Sequence, residues 1–333
     1  MLIDDQMETL RGLAQETIPL PGAGTTAERH RRLFEIGRID LSLARLAEAH
    51  WDAVAILAES GREARADCIY GVWASERPGQ QLTLVSSADS FRVNGQKAFC
   101  SGAGLIDRAL VTVGGIEQRL VDIDLRRNTD FIQFDRSAWK TNAFRETRTD
   151  TATLDEVRVS ATDLIGEPDW YLQRPGFWHG ACGPAACWAG GAAALVDYAE
   201  RQSREDPHTV AHLGAMHASI WAVLSYLDSA GHQIDACLED REQALIRALT
   251  VRHLVEQACT EVLRRLPRAY GPHPLAMDED VVRRYQELDL YIRQSHAERD
   301  LETLGRTVLA SLGLRKRYLD RKTTQYSAST SYL

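Results

Sequence analysis

VNGQKAFCSGAG, residues 93–104, is the stretch whose reading decides the fold. Asn-Gly between alternating apolar and polar positions predicts a two-residue hairpin turn at Asn94-Gly95, because both central residues of such a turn need positive φ. The run from Gln96 to Ser101 then predicts a strand that exits through small residues, Gly102, Ala103 and Gly104. An aromatic ring, a hydroxyl and bare backbone at one strand end can face a single flat ligand. The plainer alternative is a hairpin in a β domain, and the flanking sequence has to decide between the two.

Outward from this stretch the hydrophobic period is 2. Residues 69–74, 82–85, 108–113, 119–123, 130–134 and 149–159 read as short strands separated by Gly, Asn and Asp, which predicts an antiparallel barrel or sandwich over 68–162. Upstream, 1–67 reads as helical. After PLPGAGTT (19–26), apolar residues recur at helical spacing from Leu33 to Ala58, with Thr25 and Glu28 spaced as a capping box and Gly61 placed as a C-cap. Downstream of Leu164-Ile165-Gly166 the helical period returns over 177–202, 208–237, 240–265 and 278–314, the pattern of a four-helix bundle within 163–320. The small residues of 180–194 permit close approach of helices or of a ligand, and packing is the reading preferred. A Ser/Thr/Tyr-rich end, 321–333, is expected to be mobile. The fold class is therefore an α+β multi-domain chain: N-terminal helices, a central β domain and a C-terminal bundle.

The totals agree with that class. At 44% hydrophobic residues the chain can build a real core, and a net charge of -8 argues against a nucleic-acid or anionic membrane surface. Cysteines at 68, 100, 182, 187, 237 and 259 form no CxxC pair, so neither a disulfide framework nor a zinc site is indicated. His208 and His212 have i, i+4 spacing but no third ligand, so no metal site is predicted. The N-terminus MLIDDQMETL lacks a basic segment before an apolar run, and no stretch reads as the roughly 18 apolar residues of a membrane span. A cytoplasmic protein without a membrane or nucleic-acid partner is expected.

In this order of layers, and in three motifs, the chain resembles the acyl-CoA dehydrogenase family of flavoproteins. That family has a T-E-P strand end, a strand N-G-x-K-x-W-I-T-N-G, and a closing V-x-V-P followed by L-I-G. Here Ser75-Glu76 with Arg77-Pro78 resembles the first. Asn94-Gly95-Gln96-Lys97-Ala98-Phe99-Cys100-Ser101 resembles the second. Val157-Arg158-Val159-Ser160 with Leu164-Ile165-Gly166 resembles the third. The resemblance implies FAD between the β domain and the bundle, with Phe99 and Ser101 against the flavin ring and Trp73, Ala74 and Ser75 at its pyrimidine end. It also implies self-association to a dimer or tetramer, since the family binds the adenosine half of FAD across subunits. Of the two motifs used there, Arg268 and Gly271 resemble the later Gly-rich turn. The earlier R-x-x-F-G has no counterpart after Arg201.

Further departures concern the chemistry. The family's base is commonly a Glu near the C-terminus; Ala297 falls at that place, between His296 and Glu298. A base that removes a proton next to a carbonyl needs a pKa near working pH, which suits His296. Glu298 is the alternative, and on a continuous helix only one of the two could face the flavin. Arg299 or Asp300 would orient His296; the plain alternative is a solvated, salt-bridged helix face. The resemblance thus implies oxidation of a CH–CH bond beside a carbonyl in an acyl substrate, CoA-linked or carrier-linked. The alternatives are a flavin-dependent monooxygenase on the same fold and a non-catalytic relative.

Overall fold

The computed structural model describes residues 2–87, 90–114, 117–236 and 241–312. Three helices open the chain: α1 (Leu2–Gln15), α2 (Thr26–Ile39) and α3 (Leu41–Glu59). The break between α2 and α3 is set by Asp40, whose extended backbone lets its carboxylate accept the Leu43 N–H at 2.7 Å. α3 ends as its sequence predicts, with Gly61 at φ +76 and the Arg62 N–H returned to the Leu57 carbonyl. At α2 the expected capping box does not form. Thr25 is the N-cap residue, but its side chain makes no cap bond. Asp235 accepts instead from the backbone of Gly24 and Thr26 and from the Thr26 hydroxyl. A carboxylate reaching over from a packed helix supplies the acceptor that the local pattern promised.

Eight strands follow: β1 (Tyr70–Trp73), β2 (Leu82–Ser87), β3 (Ser90–Cys100), β4 (Arg108–Val113), β5 (Arg119–Asp124), β6 (Ile132–Asp135), β7 (Asp150–Val159) and β8 (Leu164–Ile165). They form two four-stranded sheets, β1-β4-β5-β8 and β2-β3-β7-β6. The β domain is therefore two sheets, antiparallel except that β1 pairs with β4 in parallel, a crossover that period-2 patterning cannot reveal.

Asn94-Gly95 is not a turn. β2 and β3 form the hairpin, and Asn94 and Gly95 lie in mid-strand opposite Thr83 and Leu82. There the β3–β7 register shifts between Val93 and Gly95. Gly95 (φ +122) lies so close to Gln81 that a Cβ would overlap its carbonyl oxygen. Asn94 bridges the irregularity, accepting the Glu156 N–H and donating to the Glu156 carboxylate. The dipeptide's positive φ is real, but it serves a β-bulge.

The helical half comprises α4 (Trp170–Gln173), α5 (Gly176–Gly180), α6 (Cys182–Glu200), α7 (Pro207–Ala236), α8 (Arg241–Tyr270), α9 (His273–Met277), α10 (Glu279–Tyr291) and α11 (298–312). The long helix expected over 278–314 is interrupted. A 3-10 turn at Ile292–Gln294, an extended Ser295 and Ala297 at φ 48 separate α10 from α11. α6 packs against α2, α7, α8 and α10, and its residues are buried from Ala185 to Leu195 as helix packing requires, while Gly180, Ala181 and Pro184 line a cavity. α7, packed on α2, α6 and α8, is long and apolar enough to cross a membrane, which the sequence reading did not anticipate. The expected mobile end, 321–333, lies outside the described residues.

Candidate active site

A cavity of about 330 Å³ lies where α3, the ends of β1 and β3, α5, α8 and the α10–α11 break meet. Its volume is at the low end of the range for small-molecule pockets. The β3 side is shaped by a second bulge. Lys97 pairs with Ala152 and Cys100 with Asp150, so Ala98 and Phe99 together oppose Thr151. Phe99 takes φ 60, and its ring lies on the cavity, 47% exposed. A non-glycine aromatic at positive φ is strained backbone, and a bulge re-aims its side chain. The neighbours hold this bend in place. Lys97 is buried, its Nζ donating to the carbonyl and hydroxyl of Thr112. Cys100 is buried behind the wall, its thiol pushed up to about 12 by burial, which leaves it inert packing.

Ser101 lies beside Phe99 on the same wall. Its hydroxyl accepts from Arg45 Nε at 3.1 Å and pairs with Thr149 at 2.9 Å. Ala74 and Ser75, at the end of β1, complete this side. Trp73 lies behind the wall, buried, its Nε1 donating to the Ser101 carbonyl. The glycine exit is also spent inside the fold: Gly102 and Ala103 give their N–H groups to Thr147 and Arg148, and a Cβ on Gly102 would strike Ile106. The bare backbone expected to face a ligand is turned into the turn's own packing.

The break after α10 brings His296 and Asp300 to the cavity. Asp300 accepts the His296 backbone N–H at 3.0 Å, capping α11, and lies 3.3 Å from the ring Nδ1. His296 is thus a pre-helical residue oriented by Asp300, with its ring 66% exposed. Glu298 and Arg299 do not line the cavity. Arg252 fixes this segment, donating to the carbonyls of Ala181 and Gln294 with its guanidinium 4.7 Å from the Trp188 ring centroid. Arg268 lies in the last turn of α8 and Gly271 just beyond it. Sixteen residues beyond Arg252, Arg268 is about 24 Å along the axis, and neither residue lines the cavity.

Sequence reasoning missed the α3 side of the cavity. Arg45, Glu48 and Asp52 stand at i, i+3 and i+7 on α3 and all reach the cavity. Arg45 lies against two rings, 5.1 Å from the Phe144 centroid and 5.3 Å from that of Tyr291, and burial lowers its pKa. Glu48 is pushed up to about 8, by burial first and then by Asp52. A signal was present: three charges on one stripe of an otherwise apolar helix.

Helices at both ends of a two-sheet β domain, with the cavity between sheets and bundle, define the acyl-CoA dehydrogenase-like fold. Solved structures with this fold include dibenzothiophene monooxygenase TdsC from Paenibacillus sp. A11-2, in complex with FMN and indole, at 18% identity over 93% of this chain and 96% of that one, TM-score 0.76. Methanesulfinate monooxygenase MsuC from Pseudomonas fluorescens aligns at 18% identity over 92% and 90%, TM-score 0.77. Nitrososynthase from Micromonospora carbonacea var. africana aligns at 16% over 86% and 83%, TM-score 0.71. No protein-family model and no curated protein sequence matches the chain. At these identities the likeness establishes the fold, and the chemistry has to be argued from the site.

Proposed function

We propose that the chain is a flavin-dependent monooxygenase acting on a small polar molecule, with FMN as the flavin. The observation that carries this reading is the composition of the cavity lining. Phe99, re-aimed by its bulge, would offer a ring face to an isoalloxazine, Ser101 a hydroxyl and Ala74-Ser75 a strand-end edge. Adjoining them, with Arg45 bonded to Ser101, α3 presents Arg45, Glu48 and Asp52, where an acyl chain would need apolar surface. A flavin bound there supplies two-electron redox chemistry and, once reduced, reactivity toward oxygen. The chain's own residues bind and orient, and His296 with Asp300 can exchange a proton with solvent at the cavity mouth. The FMN in the similarly folded TdsC complex supports FMN as the flavin.

A second reading, an FAD-dependent dehydrogenase of acyl thioesters, has one specific observation in its favour: His296 oriented by Asp300 at the cavity. The visible spectrum decides between them. FMN is expected to bind to the purified chain with a shifted flavin band, and oxygen uptake is expected to require a flavin reductase. Anaerobic bleaching by acyl thioesters, abolished in His296→Ala, would establish the dehydrogenase instead. Absence of flavin binding after incubation with excess FMN and FAD would remove both.

Self-association also belongs to this proposal. α7 leaves Val210, Trp221 and Leu224 exposed on one face, Trp221 by 70%. A row of large apolar side chains on one packed helix is what an interface between copies needs. The native chain is expected to elute as a dimer or tetramer by light scattering. Trp221→Glu, which places a charge in that row, is expected to shift it toward the single chain; an unchanged mass would move the interface elsewhere.

A further inference from the structure

Glu48 and Asp52 differ from every other carboxylate described around the cavity. Glu59 holds Arg174 at 2.6 Å, and Asp300 holds His296. Neither Glu48 nor Asp52 has a hydrogen-bond or ion-pair partner among the described residues. Three arginines withdrawn from water stand near, but each aims its hydrogen bonds elsewhere. Arg29 donates to the Pro19 carbonyl, Arg45 to Ser101, and Arg252 to Ala181 and Gln294. Glycines on the facing backbone leave just enough room for the two carboxyls. A Cβ on Gly180 would come 2.9 Å from Asp52 Oδ1, and one on Gly183 would come 2.9 Å from Glu48 Oε1. Two acceptor groups one helical turn apart thus line the cavity without a donor from the protein.

We propose that Glu48 and Asp52 recognise a primary ammonium group, so that the substrate of this cavity is an amine. An ammonium carries three N–H donors and the positive charge that relieves repulsion between two carboxylates; an alcohol or a carboxylate does neither. The inference rests on the cavity being the substrate site of the flavoenzyme reading, and it narrows that reading to a substrate class. The site also suits the next step. An ionised Glu48 can take one proton from the bound ammonium, giving a carboxylic acid and a free amine whose nitrogen lone pair is then available for oxidation.

The pair's ionisation gives a pH signature. The titratable and charged groups facing Glu48 are Arg45 and Asp52 on α3, Arg29 on α2, Arg252 on α8, Cys187 on α6, Tyr291 on α10 and Tyr171 on α4. Burial and Asp52 raise Glu48 to about 8, against the pull of the arginines. Below that pH Glu48 is protonated, and above it its carboxylate adds a negative charge to the site. Affinity for an ammonium therefore rises as pH climbs through 8 and falls again only where the amine itself loses its proton, near 10 or above.

The test uses three probes of equal length, n-butylamine, n-butanol and n-butyrate, titrated calorimetrically into the chain with and without FMN. Butylammonium is expected to bind about tenfold or more tightly than either analogue, the scale of one charge-assisted hydrogen bond. Glu48→Gln with Asp52→Asn is expected to erase that preference while leaving the FMN dissociation constant unchanged. Glu48→Gln alone is expected to flatten the pH dependence of amine binding, a readout that a merely structural carboxyl would not move. Equal affinity for the three probes, no measurable amine binding, or a preference that survives in the double variant would overturn the proposal. Butylammonium bound by a chain that takes no flavin would remove the flavin reading and leave this one standing. FMN bound without amine selectivity would do the reverse.

Discussion

An Arg45→Met variant is expected to be more stable than the native chain and to bind FMN worse. The guanidinium is withdrawn from water, its pKa is lowered by burial, and no carboxylate lies within ion-pair distance among the described residues. Its compensation is one bond to the Ser101 hydroxyl and contact with the Phe144 and Tyr291 rings. Two ring contacts contribute about 1–2 kcal/mol, less than the several kcal/mol that desolvating an unpaired charge costs. Methionine fills a similar volume and keeps dispersion contact with both rings. A gain of about 1 kcal/mol in urea unfolding of the flavin-free chain follows. Removing the charged donor beside Ser101 is expected to weaken FMN binding roughly 10–100-fold, the worth of a hydrogen bond to a charged group. Opposite signs in the two measurements mark a residue kept for function. A variant that is destabilised and binds FMN normally would make Arg45 a structural element instead.

How much of this was legible in the chain depends on the range of each interaction. The α3 end at Gly61 and the small-residue face of α6 follow from local backbone and packing rules, and the sequence reading places them correctly. Asn94-Gly95 shows the limit. The dipeptide reports positive φ, but turn or bulge is decided by register against β2 and β7, which local sequence does not encode. The parallel β1–β4 pair fails for the same reason. The α10–α11 break carries no Gly or Pro; it is made by Asp300 folding back on His296 and by Arg252 holding Gln294. His296 and Asp300 were named from the motif, and what could not be read is that His296 precedes a helix rather than lying on one. Arg45, Glu48 and Asp52 were overlooked because attention to apolar periodicity treats charges as solvated. On a helix buried nearly all round, a charged stripe is itself the anomaly.

The second large effect is expected at the α2–α6 crossing, which sets where α3 and its charged stripe sit. Gly37 on α2 and Gly190 on α6 meet backbone to backbone: a Cβ on Gly190 would overlap the Phe34 carbonyl oxygen, and one on Gly37 the Cys187 carbonyl oxygen. Helix propensity favours alanine over glycine by about 1 kcal/mol, so by local rules alone Gly190→Ala should stabilise α6. At this crossing the obstacle is main chain, which cannot rotate away as a side chain can. Accepting a methyl means moving the helices apart and loosening the buried Phe34, Cys187 and Trp188 around them. Gly190→Ala is therefore expected to destabilise by about 2–3 kcal/mol, and Gly190→Val to leave little folded protein. Gly214 is the control. It lies on the exposed face of α7, where an added methyl would meet nothing within 4 Å, so Gly214→Ala is expected to stabilise by about 0.5–1 kcal/mol. Urea unfolding of the two alanine variants should give opposite signs for the same chemical change. If Gly190→Ala behaved like Gly214→Ala, the close approach would not be a constraint, and the small residues of α6 would need another explanation.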